Sequence, residues 1–123
     1  MNVLLWIVAG LLALAFLGAG LTKVSQPKDK LAGTMGWVDD FSPAAVKTIG
    51  ALEVLGAIGL VLPALVDVAP VLVPVAATGL AVTMVGAIVV HLRRHEPQMV
   101  VVNVVLLVLA LLVAVLRFGP YAF

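Results

Sequence analysis

The chain has 123 residues, 64% of them hydrophobic and 11% charged, with a mean hydropathy of +1.30 and a formal net charge of +1. A soluble domain of this length cannot hide so much apolar surface, so lipid is the solvent that fits the composition. Near-neutral charge argues against a nucleic-acid partner, and the absence of cysteine excludes thiolate nucleophiles, disulfide exchange and cysteine-bound metal or iron–sulfur centres.

A bilayer core about 30 Å thick takes about 20 helical residues. Four stretches meet that length, 3–22, 48–66, 71–90 and 99–116. The first is uncharged with no Lys or Arg before it, and it reads as a retained helix, not a signal peptide. It closes at Lys23, with Pro27 beyond. The connection 24–43 is the longest, and it carries Trp37 and Phe41 among mixed polar and apolar residues. Such a segment suits the membrane surface, or a lid over a site between helices.

The second span has 44–47 as an interfacial lead-in, and Pro63 either kinks it or ends it early. Pro70 and Pro74 suit the start of the third span, which closes at His91, Arg93 and Arg94. The fourth closes at Arg117, before Gly119 and Pro120. Lipid admits only helices or closed barrels, and the alternation of a barrel is missing. The expected fold is all-α, an integral membrane antiparallel four-helix bundle, forming a single domain over residues 1–123.

Loop charges set the expected orientation. Lys23, Lys28, Lys30 and Lys47 flank or occupy the first connection, and Arg93 and Arg94 the third; the other side has Arg117. That bias puts both of these connections in the cytoplasm and both termini outside.

The informative residues are those that lipid penalises. A carboxylate deep in a span costs roughly 2.5–3.5 kcal/mol on insertion scales, so it faces other helices and has a partner. Glu53 is the clear case, about 8 Å past Thr48 at 1.5 Å per residue. Gly50, Gly56 and Ala57 share its helical face and admit a close neighbour. Its expected partner is Lys23, at the same end of an antiparallel hairpin. His91 and Asn103 fall at that end too, with Thr22, Thr48 and Thr83 as further candidates. The opposite half is nearly all Val, Leu, Ala and Gly. The polar cluster is either a structural network fixing helix register, a small-molecule site, or part of a proton or ion path.

Weaker signals complete the reading. His91 and His95 have i, i+4 spacing, which could serve a metal or a haem, but His95 falls in an Arg-rich turn before Pro97 where helix continuation is doubtful. A metal site is therefore not expected, and haem is disfavoured. Ala76, Gly79, Thr83, Gly86 and Ala87 form a small-residue stripe suited to close packing within the bundle or between subunits of a homo-oligomer.

The segments GAGLTK at 18–23, IGALEVLGAIGLVLP at 49–63, GAIVVHLRRHE at 86–96, and Asn103 together resemble the DoxX-like family of small four-helix membrane proteins. The resemblance covers nearly the whole chain. It implies a four-helix bundle in a bacterial cytoplasmic membrane. The family's name comes from similarity to membrane subunits of a thiosulfate:quinone oxidoreductase, and some relatives are proposed to dock redox or oxidative-stress enzymes. The family's lysine, glutamate, histidine and asparagine map onto Lys23, Glu53, His91 and Asn103.

Three functions follow as expectations. The first is a membrane subunit or accessory protein of quinone-linked redox chemistry, with Lys23, Glu53, His91 and Asn103 binding the head group and Glu53 and His91 exchanging protons. The second is a non-catalytic scaffold of a larger membrane complex. The third is a cofactor-free isomerase of a hydrophobic substrate, with Glu53 as general acid–base. The expected partners are the lipid bilayer and a hydrophobic small molecule.

Overall fold

A computed structural model describes residues 2–25 and 41–123. The described residues form four helices, α1 (Asn2–Ser25), α2 (Pro43–Leu65), α3 (Leu72–Arg93) and α4 (Pro97–Phe118). Each is long and apolar enough to cross a membrane. In no span is more than 33% of the apolar window buried inside the bundle. Leu14, Val82, Leu55 and Val108 are among the large side chains left on its outside. Such a surface is stable only against lipid. The chain is an all-α, multi-pass membrane protein.

The helix ends follow from local chemistry. α2 begins at Pro43, ahead of the stretch expected to cross the membrane from 48. The Ser42 hydroxyl accepts from the Ala45 N–H at 3.1 Å, and Pro43 occupies the first turn, where its missing donor costs nothing. Pro63 lies inside α2, which ends two residues later at Leu65. The Val66 N–H returns to Leu62 O at 3.0 Å and the Val68 N–H to Pro63 O at 3.0 Å, with Asp67 between them at φ 54. This left-handed closure satisfies the last carbonyls of α2. Pro74 sits in the first turn of α3, and Pro70 just before it accepts from the Val73 N–H at 3.0 Å.

α1 pairs with α2, and α3 with α4, as two hairpins joined along α2 and α3, while α1 and α4 touch more sparingly. One apolar core runs through all four helices, with Leu5, Leu12 and Phe16 of α1, Leu60 of α2, Leu80 of α3 and Val113 of α4 fully enclosed. Glycines set the closest approaches. A Cβ on Gly20 would stand 2.6 Å from Gly50 O, and one on Gly50 would stand 2.7 Å from the Lys23 Cβ. Gly59 plays the same part against Ala76 of α3.

The small-residue stripe of α3 divides. Ala76 meets α2, whereas a Cβ on Gly79 or Gly86 would meet nothing within 4 Å. The stripe is therefore not one continuous seam within the chain, because the spacing of small residues marks a face without saying what covers it.

The surface segment expected over 24–43 lies mostly outside the described residues. Ser25 still belongs to α1, and Lys47 of α2 donates through Nζ to Val24 O at 2.9 Å, tying the end of α1 to the start of α2.

Candidate functional site

Each helix places one polar side chain at the bundle end that holds the α1–α2 and α3–α4 connections. Lys23 lies in the last turn of α1, Glu53 in the first half of α2, His91 in the last turn of α3 and Asn103 in the second turn of α4. Their exposures are 8%, 3%, 5% and 6%, so all four are removed from the bilayer. The structure brings all four to the wall of one cavity of about 630 Å³.

Lys23 Nζ donates to Glu53 Oε1 at 2.5 Å. The contact follows from the Gly20–Gly50 approach, which lets the backbones close until a lysine stem at the end of α1 spans to the carboxylate. Two opposite charges held out of water need such geometry, since neither is tolerated alone.

His91 is organised from the loop. α3 ends in a left-handed closure in which the His95 N–H reaches Leu92 O at 3.2 Å, the Glu96 N–H reaches His91 O at 3.0 Å, and His95 sits at φ 56. This is a Schellman cap with histidine where glycine is usual. It folds the Glu96 carboxylate back over His91, so Nδ1 and Glu96 Oε1 stand 3.0 Å apart. Arg94 Nε donates to the same oxygen at 3.2 Å. The hydrogen bond from His91 is the largest influence on the Glu96 carboxyl, and against an opposing effect of burial it and the neighbouring charges hold that group below its usual range.

Asn103 differs from the other three. Its Nδ2 is buried and has no hydrogen-bond partner among the described residues. An orphaned buried amide forfeits about 1–3 kcal/mol, a cost that a water or a ligand in the cavity would relieve.

The rest of the cavity wall is apolar. Phe16, Met84 and Leu106 line it from three helices, and Phe41, at the described end of the long connection, lines it too. Gly86 and Ala87 of the α3 stripe also lie on the wall, and the open space beside Gly86 is consistent with that position.

Of the three threonine candidates, two separate from the site. The hydroxyls of Thr22, Thr48 and Thr83 donate back to Gly18 O, Ala44 O and Gly79 O of their own helices, at 2.8, 2.8 and 2.9 Å. Hydroxyls inside apolar helices commonly bond this way, and only Thr83 lines the cavity. The i, i+4 pairing of His91 with His95 is not realised as a helical face, because α3 stops at Arg93 and His95 turns left-handed.

Two further contacts escape a reading of spans. Glu96 reaches His91 only through the turn geometry, and a histidine at the left-handed position gives no glycine signal. At the other end, Arg117 is buried, with Nη1 donating to Asn2 Oδ1 at 2.5 Å and to Tyr121 O at 2.9 Å. Its guanidinium lies 4.0 Å over the Phe123 ring, which meets Trp6 edge-on at 5.8 Å. That partner, 115 positions away, carries no local signature.

Comparison with known proteins identifies the family. The profile of the DoxX-like family matches residues 7–113, a range that contains Lys23, Glu53, His91 and Asn103. No curated protein and no solved structure matches the chain significantly. With most of its length covered and its four helices apolar enough to span a bilayer, the chain belongs to the DoxX-like family of membrane proteins.

Proposed function

We propose that the chain is a membrane subunit or accessory protein of quinone-linked redox chemistry, and that its cavity receives the quinone head group. The observation that carries this reading is Asn103, a buried amide donor without a partner on the wall of an otherwise apolar cavity. A volume of about 630 Å³ falls within the usual range of small-molecule sites, roughly 300–1,000 Å³. A ring with oxygens at its edge would take the Asn103 N–H, while Phe16, Met84 and Leu106 would pack its faces and the start of an isoprenoid tail. Lys23 holds the charge of Glu53, and Glu53 and His91 are the groups able to exchange protons with the ring oxygens. Six basic residues flanking the two connections favour the cytoplasmic side of a bacterial membrane for this end.

The scaffold reading rests on a different observation. The Lys23–Glu53 ion pair bridges α1 and α2 beside the Gly20–Gly50 contact, as a tie between helices would.

Mass spectrometry of small molecules that co-purify in mild detergent separates the two, with wild type beside Glu53→Gln. A stoichiometric quinone present in wild type and lost from a folded variant is the expected result. Bulk phospholipid alone in both, with the variant failing to assemble, would leave the scaffold reading.

A further inference from the structure

The His91–Glu96 contact decides more than the position of a ring. An ionised carboxylate only accepts hydrogen bonds, so an Nδ1 held 3.0 Å from Glu96 Oε1 must carry the proton. In its neutral form such an imidazole has its lone pair on Nε2. With Nδ1 turned toward the loop, Nε2 is the ring nitrogen left for the cavity that His91 lines, and it has no hydrogen bond among the described residues. Asn103 brings the opposite polarity to the same wall, an N–H donor with no acceptor. Arg94 donates to the same Glu96 oxygen, so that oxygen is held by two donors.

We propose that Glu96 is a positioning residue that sets the hydrogen-bond polarity of the cavity, giving it one acceptor and one donor and so selecting a ring that bears a hydroxyl, a quinol, over the corresponding dicarbonyl quinone. This rests on the reading of the cavity as a quinone-type site. A hydroxyl donates to His91 Nε2 while a ring oxygen accepts from Asn103 Nδ2. A dicarbonyl satisfies Asn103 but sets an oxygen lone pair against the lone pair of Nε2. One such mismatch changes affinity on the order of tenfold.

Glu96→Gln tests the idea through chemistry and not bulk. A glutamine can accept from Nδ1–H through its oxygen or donate to a bare Nδ1 through its nitrogen, so both tautomers become available. Decyl-chain ubiquinol and ubiquinone are titrated under argon into the full-length protein in detergent, at about pH 8, above the ordinary imidazole range. The expected result is a preference for the quinol of about tenfold in wild type that shrinks to near parity in the variant. Equal affinities in wild type, or a preference unchanged by Glu96→Gln, would overturn the role of Glu96 and leave the cavity reading standing. Binding of neither form would overturn the cavity reading and this one with it. Should the variant misfold, nitrogen-15 NMR of wild-type His91 decides alone. A proton on Nδ1 is expected, and a proton on Nε2 overturns the proposal.

Discussion

The two ends of the bundle both bury cationic side chains, and they resolve the problem in opposite ways. At one end Arg117 is engaged by Asn2, by the Tyr121 carbonyl and by the Phe123 ring, with Trp6 against that ring. At the other, Lys23 and Glu53 neutralise each other, but the polar group beside them on α4 has an unmet donor and the four residues surround a cavity. A polar group in an apolar medium is normally retained because the fold satisfies it. The Arg117 end obeys that rule. The Asn103 end departs from it at one atom, and that departure is what supports the proposal of a site there.

The largest expected effect tests whether the charge pair at the cavity end is truly coupled. Lys23→Met leaves the Glu53 carboxylate buried without its ammonium, and should lower unfolding stability in detergent by about 3–5 kcal/mol. Adding Glu53→Leu should return most of that loss, because the cost lies in the stranded charge and not in the missing contact. A double variant as unstable as the single one would show that the two residues act separately.

The next effect belongs to the opposite end. Arg117→Met removes charge-assisted contacts to Asn2, at the far end of the chain, and to the nearby Tyr121 carbonyl. It should cost about 1.5–3 kcal/mol of stability and leave ligand retention as in wild type. Loss of the ligand in this variant would erase the distinction between the two ends.

Much of this contrast is legible in the residues themselves. Lys23, Glu53, His91 and Asn103 stand out because lipid makes each of them expensive, and an antiparallel order brings them to one end without further information. Gly50 is legible for a related reason, since a glycine on the face of a buried carboxylate implies a close neighbour, found here in Gly20. The helix limits were less so. Ser42 and Pro43 form a capping signal that hydropathy alone passes over.

What stays hidden depends on geometry across distance or against type. Glu96 folds onto His91 through a left-handed histidine, and Asn2 meets Arg117 only when α1 and α4 lie side by side. The threonines mislead for the converse reason, because an apolar helix supplies its own carbonyls to a hydroxyl before any neighbour can. Nor does sequence distinguish a satisfied amide from an orphaned one, and it is the orphaned amide of Asn103 that points to a ligand.

The smallest expected change in stability is therefore the most informative. In Asn103→Leu, a replacement of similar size loses no hydrogen bond through Nδ2 and removes a buried unsatisfied donor. The measurement is the melting temperature of the unliganded protein in detergent together with the affinity for decyl-chain ubiquinol. An unchanged or raised melting temperature with affinity weakened about tenfold is the predicted result. A lowered melting temperature with affinity intact would contradict it, and would make Asn103 part of the fold and not of a binding site.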